Sequence, residues 1–185
     1  MTVPRHRVKA RRFGLLADTH DDAVDWPKAV EKIRAAWGEV DAIIHCGDLC
    51  TPRAIETLSQ IAPMWATRNP QTDPAATPPV LVDGPRVLEV GASGIGVLFS
   101  LAGEPVKAET DPVLRFSGLG PEKALQTLFG GKVDVCVWGG THAARVSAAA
   151  GTLFVNPGSP TLAKSRTVGV LTLENGTAGV EILPV

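Results

Sequence analysis

Phe13-Gly14-Leu15-Leu16-Ala17-Asp18-Thr19-His20 is the stretch that decides how this chain folds. A short apolar run of strand length ends on a carboxylate and, two residues later, an imidazole. The arrangement recurs where Ala42-Ile43-Ile44-His45-Cys46 leads into Gly47-Asp48, and where the run from Val133 to Trp138 leads through Gly139-Gly140 to Thr141-His142. In α/β folds, ligand groups collect outside the carboxyl ends of the strands. Three runs that end in metal-ligand residue types therefore predict one site at one sheet edge.

Outward from that stretch, the first half of the chain alternates strand and helix. Residues 13–17 read as a strand and 26–37 as a helix, with Val30, Ile33 and Trp37 at helical spacing and Asp25 then Pro27 as start signals. Residues 42–46 form the next strand, 52–61 a helix beginning at Thr51, and 64–68 a strand, which is the βαβαβ signature of parallel pairing. Pro70, Pro74, Pro78, Pro79 and Pro85 then crowd residues 70–85. This predicts a loop that follows Asn69 and overhangs the site as a lid or a docking surface. Beyond it, 87–90 and 96–101 read as neighbouring strands, 121–129 as a helix and 133–138 as a strand. The tail reads as strands over 145–149, 152–155, 168–173 and 179–183, with Asn175-Gly176 as a hairpin turn. Periodicity alone gives an α/β fold with an antiparallel C-terminal portion.

The order and spacing of Asp18-Thr19-His20, Gly47-Asp48, Asn69, Gly139-Gly140-Thr141-His142 and Asn156-Pro157-Gly158-Ser159 resembles the calcineurin-like metallophosphoesterase superfamily. The likeness is strongest to its small bacterial and archaeal phosphodiesterases and spans almost the whole chain. It implies a four-layer α/β/β/α sandwich of two mixed sheets flanked by helices, built as a single domain over residues 1–185. It also implies a pair of divalent ions that activate a water and clamp the oxygens of a phosphate-ester small molecule. By this resemblance Asp18, His20, Asp48 and His142 hold the first ion, and Asp48 bridges to a second that also uses Asn69. Asp48, Asn69 and His142 are the residues it implies for catalysis. Mixed carboxylate and imidazole donors suit manganese, iron or zinc, whereas magnesium or calcium would prefer oxygen alone.

The second ion is where the chain departs from the family pattern. The family has a His-Gly step where this sequence reads Ala102-Gly103, and a first histidine of Gly-His-Thr-His where it reads Gly140. If a four-ligand zinc site is worth roughly 10–16 kcal/mol, losing two ligands weakens binding by about 5–8 kcal/mol, or some four to six decades. One tightly bound ion and an impaired second site are therefore expected, with Asn69 free to bond substrate. Glu104, Asp73 and Asp21 are the nearest carboxylates in sequence and are expected to be solvated. His45, three residues before Asp48, should turn toward the other face of its strand. Two functions follow from the resemblance. One is a metal-dependent phosphoesterase, acting on phosphodiesters with weakened or single-metal activity. The other is an inactive scaffold of the same fold that docks a protein partner, as the retromer subunit of the superfamily does.

Composition narrows the remaining classes. At 185 residues and 44% hydrophobic content the chain can bury one substantial core. A net charge of −1 gives no global attraction for nucleic acid or an acidic membrane. Arg5, Arg7, Lys9, Arg11 and Arg12 make residues 1–12 a basic segment, read as a solvated tail because the apolar run behind it is too short for a signal peptide. No run reaches the roughly 18 apolar residues of a membrane span. Cys46, Cys50 and Cys136 are odd in number and lack Cys-x-x-Cys spacing, so no chemistry is assigned to them. The cytoplasm is the expected compartment.

Overall fold

A computed structural model describes residues 3–77, 79–101, 106–107, 115–116 and 120–185. Its strands are β1 (Arg5–Arg7), β2 (Arg12–Leu16), β3 (Ala42–His45), β4 (Met64–Thr67), β5 (Leu81–Val82), β6 (Arg86–Val90), β7 (Ser93–Ser100), β8 (Val106–Lys107), β9 (Arg115–Phe116), β10 (Val135–Gly139), β11 (Arg145–Ala149), β12 (Thr152–Asn156), β13 (Thr167–Glu174) and β14 (Thr177–Pro184). The helices are α1 (Trp26–Trp37), α2 (Pro52–Ser59) and α3 (Gly120–Phe129). The sheets run β14-β13-β2-β3-β4-β5 and β1-β6-β7-β10-β12-β11, each with parallel strands at its centre, while β8 and β9 pair separately.

Strand alternation sorts the apolar residues into three cores and hence four layers. Phe13, Leu15, Ala42, Ile44 and Cys46 from one sheet meet Ile95, Val97, Val135, Val137 and Val155 from the other. Their strand neighbours Leu16 and Ile43 face the opposite way, against Val30, Ile33 and Trp37 of α1 and Leu58 of α2. Cys136, Trp138 and Phe154 likewise turn outward onto Ala124, Leu125 and Phe129 of α3. The expected α/β/β/α sandwich is the observed fold. The Asn175-Gly176 turn joins β13 to β14 with φ of 50° and 78°, the paired left-handed residues a tight hairpin requires.

Two expectations need correction. The basic segment is not a free tail over Arg5–Arg7, which pairs in parallel with β6 as an edge strand. The pleat turns Arg5 and Arg7 to solvent and His6 inward, where its ring lies 5.0 Å from that of Trp65 and its Nε2 lies 3.0 Å from Arg86. Alternating charge marks an edge strand as readily as a tail. The proline-rich segment is also not loop throughout. It contains β5, and the buried Arg86 guanidinium donates to the carbonyls of Ala66, Pro79 and Val80. Ala102 and Glu104 lie outside the described residues.

Candidate metal centre

The carboxyl ends of β2, β3, β4 and β10 meet at one rim of the sandwich. Gly139 lets them approach: a Cβ there would stand 2.6 Å from Cβ of Ala17 and 3.0 Å from the carbonyl oxygen of Cys46. The segments after β2 and β3 continue to pair beyond their strands, through Asp18 N–H to Gly47 O at 3.0 Å and His20 N–H to Asp48 O at 2.9 Å. Asp18, His20, Asp48, Cys50 and His142 all have φ between 40° and 75°. The other non-glycine residues with positive φ among those described are Ala150 and Asn175. Side chains pay a steric penalty in this region, and such conformations gather at functional sites.

Three side chains converge. Nε2 of His20 lies 3.3 Å from Nε2 of His142 and 3.7 Å from Oδ2 of Asp48, and donor atoms of all three lie within 4.8 Å of one another. Two imidazoles and a carboxylate are a transition-metal donor set. The two oxygens of Asp48 have separate surroundings. Oδ2 faces the histidines, while Oδ1 accepts hydrogen bonds of 2.6 Å from both Asn69 Nδ2 and Thr72 Oγ1. Asn69 Oδ1 in turn accepts from the N–H of Gln71 at 3.0 Å, so both ends of the amide are engaged within the protein.

Asp18 is fully buried beside this cluster. Its carboxylate accepts from the N–H groups of Gly140 at 2.8 Å and His142 at 3.1 Å, and so fixes the turn that carries His142. Burial raises its pKa, while those two N–H groups oppose the shift. Ser159 Oγ donates to Asp18 O at 2.7 Å and Thr161 Oγ1 to Thr19 O at 2.7 Å, which gives the Asn-Pro-Gly-Ser segment a bracing role. The structure thus brings together His20, Asp48 and His142, sets Asp18 against the backbone of the His142 turn, and sets Asn69 on the far oxygen of Asp48.

Of the carboxylates expected to be solvated, Asp73 and Asp21 are buried braces instead. Asp73 accepts from the N–H groups of Asp48, Cys50 and Asn69 at 3.0, 3.0 and 2.8 Å, and burial raises its pKa. Asp21 accepts from Thr51 N–H at 2.9 Å and also binds the Thr51 hydroxyl and the Arg53 guanidinium, tying it to the start of α2. His45 is buried and is not part of the cluster. Its Nδ1 accepts from Gly47 N–H at 3.1 Å, so Nε2 carries the proton and donates to Thr19 Oγ1 at 3.2 Å. Burial holds its pKa down at about 3, so the imidazole is neutral.

Three participants were not identified as such from the sequence: Thr72, Asp73 as a brace, and Cys50. The available signal was the Asn69-Pro70 turn, which curls back to bring residues three and four positions later onto the site. For Cys50 no sequence signal existed. Its Sγ lies 3.3 Å from Nδ1 of His20, and burial with the charges of Asp22 and Asp73 pushes the thiol up to about 12.

Residues 12–176 match the family model described as the calcineurin-like phosphoesterase superfamily domain. A probable metallophosphoesterase of Methanocaldococcus jannaschii is 31% identical over 154 residues, which cover 81% of this chain and 68% of that protein. The solved Vacuolar Protein Sorting 29 of Cryptosporidium parvum superposes with a TM-score of 0.65 at 17% identity, covering 96% of this chain and 99% of the other. A structure described as a novel archaeal phosphodiesterase gives 0.60 at 20% identity, covering 93% and 99%. The model match over most of the chain, together with this convergence of histidine and carboxylate at strand ends, establishes that the chain belongs to the calcineurin-like phosphoesterase superfamily.

Proposed function

We propose that this chain is a metal-dependent phosphoesterase that acts on phosphodiesters with one firmly held divalent ion. His20, Asp48 and His142 hold it, and Asp18 completes the set with the lone pairs its backbone bonds leave free. An ion there supplies Lewis-acid charge toward a phosphate oxygen and for water activation. Manganese, iron and zinc all suit these donors. Asn69 and Thr72 act by fixing Asp48, so that Oδ2 stays aimed at the cluster. Asp18, through the Gly140 and His142 N–H groups, fixes the second imidazole.

The observation that supports a single ion is the division of Asp48. The arm that a bridging carboxylate would extend to a second metal is occupied by two 2.6 Å hydrogen bonds. The other supports are Gly140, whose left-handed backbone offers no imidazole, and Asn69, whose amide oxygen is already bonded. The compartment we propose is the cytoplasm, which suits Cys46, Cys50 and Cys136 as free thiols. No helix among the described residues is long and apolar enough to cross a membrane.

Gly140 also favours a second reading, in which the chain is a scaffold that docks a protein partner, since the fold matches that of Vacuolar Protein Sorting 29. Steady-state hydrolysis of an activated phosphodiester during a manganese titration separates the two. The enzyme reading expects slow, metal-dependent turnover that saturates at one ion per chain and disappears in His142→Ala. A metal-loaded wild type with no turnover supports the scaffold.

A further inference from the structure

His20 presents its two ring nitrogens to two different donor clusters. Nε2 faces Asp48 and His142, as described above. Nδ1 lies 3.3 Å from the sulfur of Cys50, and donor atoms of His20, Asp22 and Cys50 lie within 4.8 Å of one another. This outer cluster is one imidazole, one thiol and one exposed carboxylate, a donor set that suits thiophilic ions such as zinc, cadmium or copper(I). Cys46 and Cys136 are fully buried in the cores and cannot reach it.

We infer that His20, Asp22 and Cys50 form a second metal position for thiophilic ions, which competes with the inner site for a single imidazole. The competition follows from ring chemistry. A neutral imidazole offers a lone pair at only one nitrogen, because the other carries the proton. An ion bound through Nε2 leaves Nδ1 protonated and pointing at Cys50, as a hydrogen-bond donor to sulfur. An ion bound through Nδ1 requires the proton on Nε2, which removes a ligand from the inner site. Outer binding forms a metal–sulfur bond and breaks the S–H bond, with the proton passing to bulk water and no change of oxidation state.

Selectivity then depends on ion type. Manganese has little affinity for sulfur and takes the inner imidazole and carboxylates, whereas a thiophilic ion draws His20 outward. The consequence is a switch in which a soft metal disables the inner site from a neighbouring position, without entering it. The switch rests on the inner site proposed above, whereas the existence of the outer position does not.

The test uses cobalt(II), whose bond to thiolate gives a charge-transfer absorption that nitrogen and oxygen ligands do not. Cobalt is added to the metal-free wild type and to Cys50→Ser, Asp22→Asn and His142→Ala, with His142→Gln as a substitute should the alanine variant lose its circular dichroism. The expected band is present in the wild type, stronger in the His142 variant, weakened in Asp22→Asn and absent from Cys50→Ser. Saturating manganese should lower the wild-type band by roughly tenfold and leave that of the His142 variant unchanged, as mutually exclusive binding requires. A folded His142 variant without the band, or a band that survives in Cys50→Ser, overturns the outer site. A wild-type band that manganese leaves intact overturns the competition. Wild type that shows the band but retains no manganese, read by electron paramagnetic resonance, overturns the inner site and the switch while leaving the thiol position standing.

Discussion

The Nε2 atoms of His20 and His142, 122 residues apart in the chain, lie 3.3 Å from each other. His20 follows β2 in one sheet and His142 follows β10 in the other, so the pair spans the seam between the two sheets at the rim. Both residues are held in left-handed backbone, and His142 is tied back to Asp18 through its own N–H. The fold brings the cluster together across that seam, and its tightness depends on how closely the two sheet ends approach.

That dependence makes Gly139 a test of the seam. Gly139→Ala would force a Cβ to within 2.6 Å of Ala17 and 3.0 Å of a carbonyl oxygen, both on the other sheet. Overpacking of this kind costs about 1–3 kcal/mol. The expected result is a lower midpoint in urea unfolding together with weaker metal binding. An alanine variant as stable as wild type would show that the sheet ends are looser than described.

On the proposed reading, the division of Asp48 separates ligand from support. Asp48→Asn should reduce manganese affinity at least hundredfold, since each ligand carries roughly 3 kcal/mol. Asn69→Ala leaves Oδ2 in place and should change affinity by less than about tenfold, the effect of a hydrogen bond worth about 1 kcal/mol. Isothermal calorimetry on folded protein reads both. Equal losses would assign Asn69 to the ion itself.

Restoring a histidine at position 140 should fail as a simple repair. Gly140 has φ of 80°, and a Cβ there would lie 3.3 Å from the Cβ and Oγ of Ser100. The left-handed backbone alone costs a side chain about 1–2 kcal/mol. Gly140→His is therefore expected to be less stable by about that amount in denaturant titration and to gain no second equivalent of bound manganese. A stable variant that binds two ions would mean the loop relaxes freely.

Acid stability reports on His45. In the unfolded chain its imidazole takes up a proton near the ordinary value of 6.5, whereas burial delays this to about 3 in the folded protein. Between those values the unfolded state binds more protons. This group's contribution to stability is full above about pH 6.5 and falls by about 1.4 kcal/mol for each unit of pH below it, until about pH 3. Asp18 and Asp73, whose folded pKa values are raised, act in the opposite direction, favouring the folded state as pH falls. Comparing wild type with His45→Gln by urea unfolding across this range isolates the histidine. A difference between the two that is flat with pH would mean that His45 takes up its proton as readily in the folded protein as in the unfolded chain.

Much of this architecture was legible in the sequence because the elements carry strong periodic signals bounded by turn residues. The runs ending at Asp18, Asp48 and His142 are strands that end at one rim, and Thr51 caps α2 by accepting from Arg53 N–H at 3.2 Å. What escaped was set by tertiary context. Arg5–Arg7 has too few apolar residues to announce itself as a strand and exists because β6 offers a free edge. Asp73 looked like a loop carboxylate, yet the turn at Asn69-Pro70 buries it under three backbone N–H groups. Cys50 stands two residues from Asp48, but its approach to His20 depends on two left-handed residues that no local pattern requires.

The proposed chemistry rests on one ion held firmly at His20, Asp48 and His142. It is tested most directly by a crystal grown with millimolar manganese, with anomalous scattering used to locate and count the ions. A single strong peak is expected between the two Nε2 atoms and Oδ2 of Asp48. Two fully occupied peaks bridged by Asp48, or none at all, would contradict it.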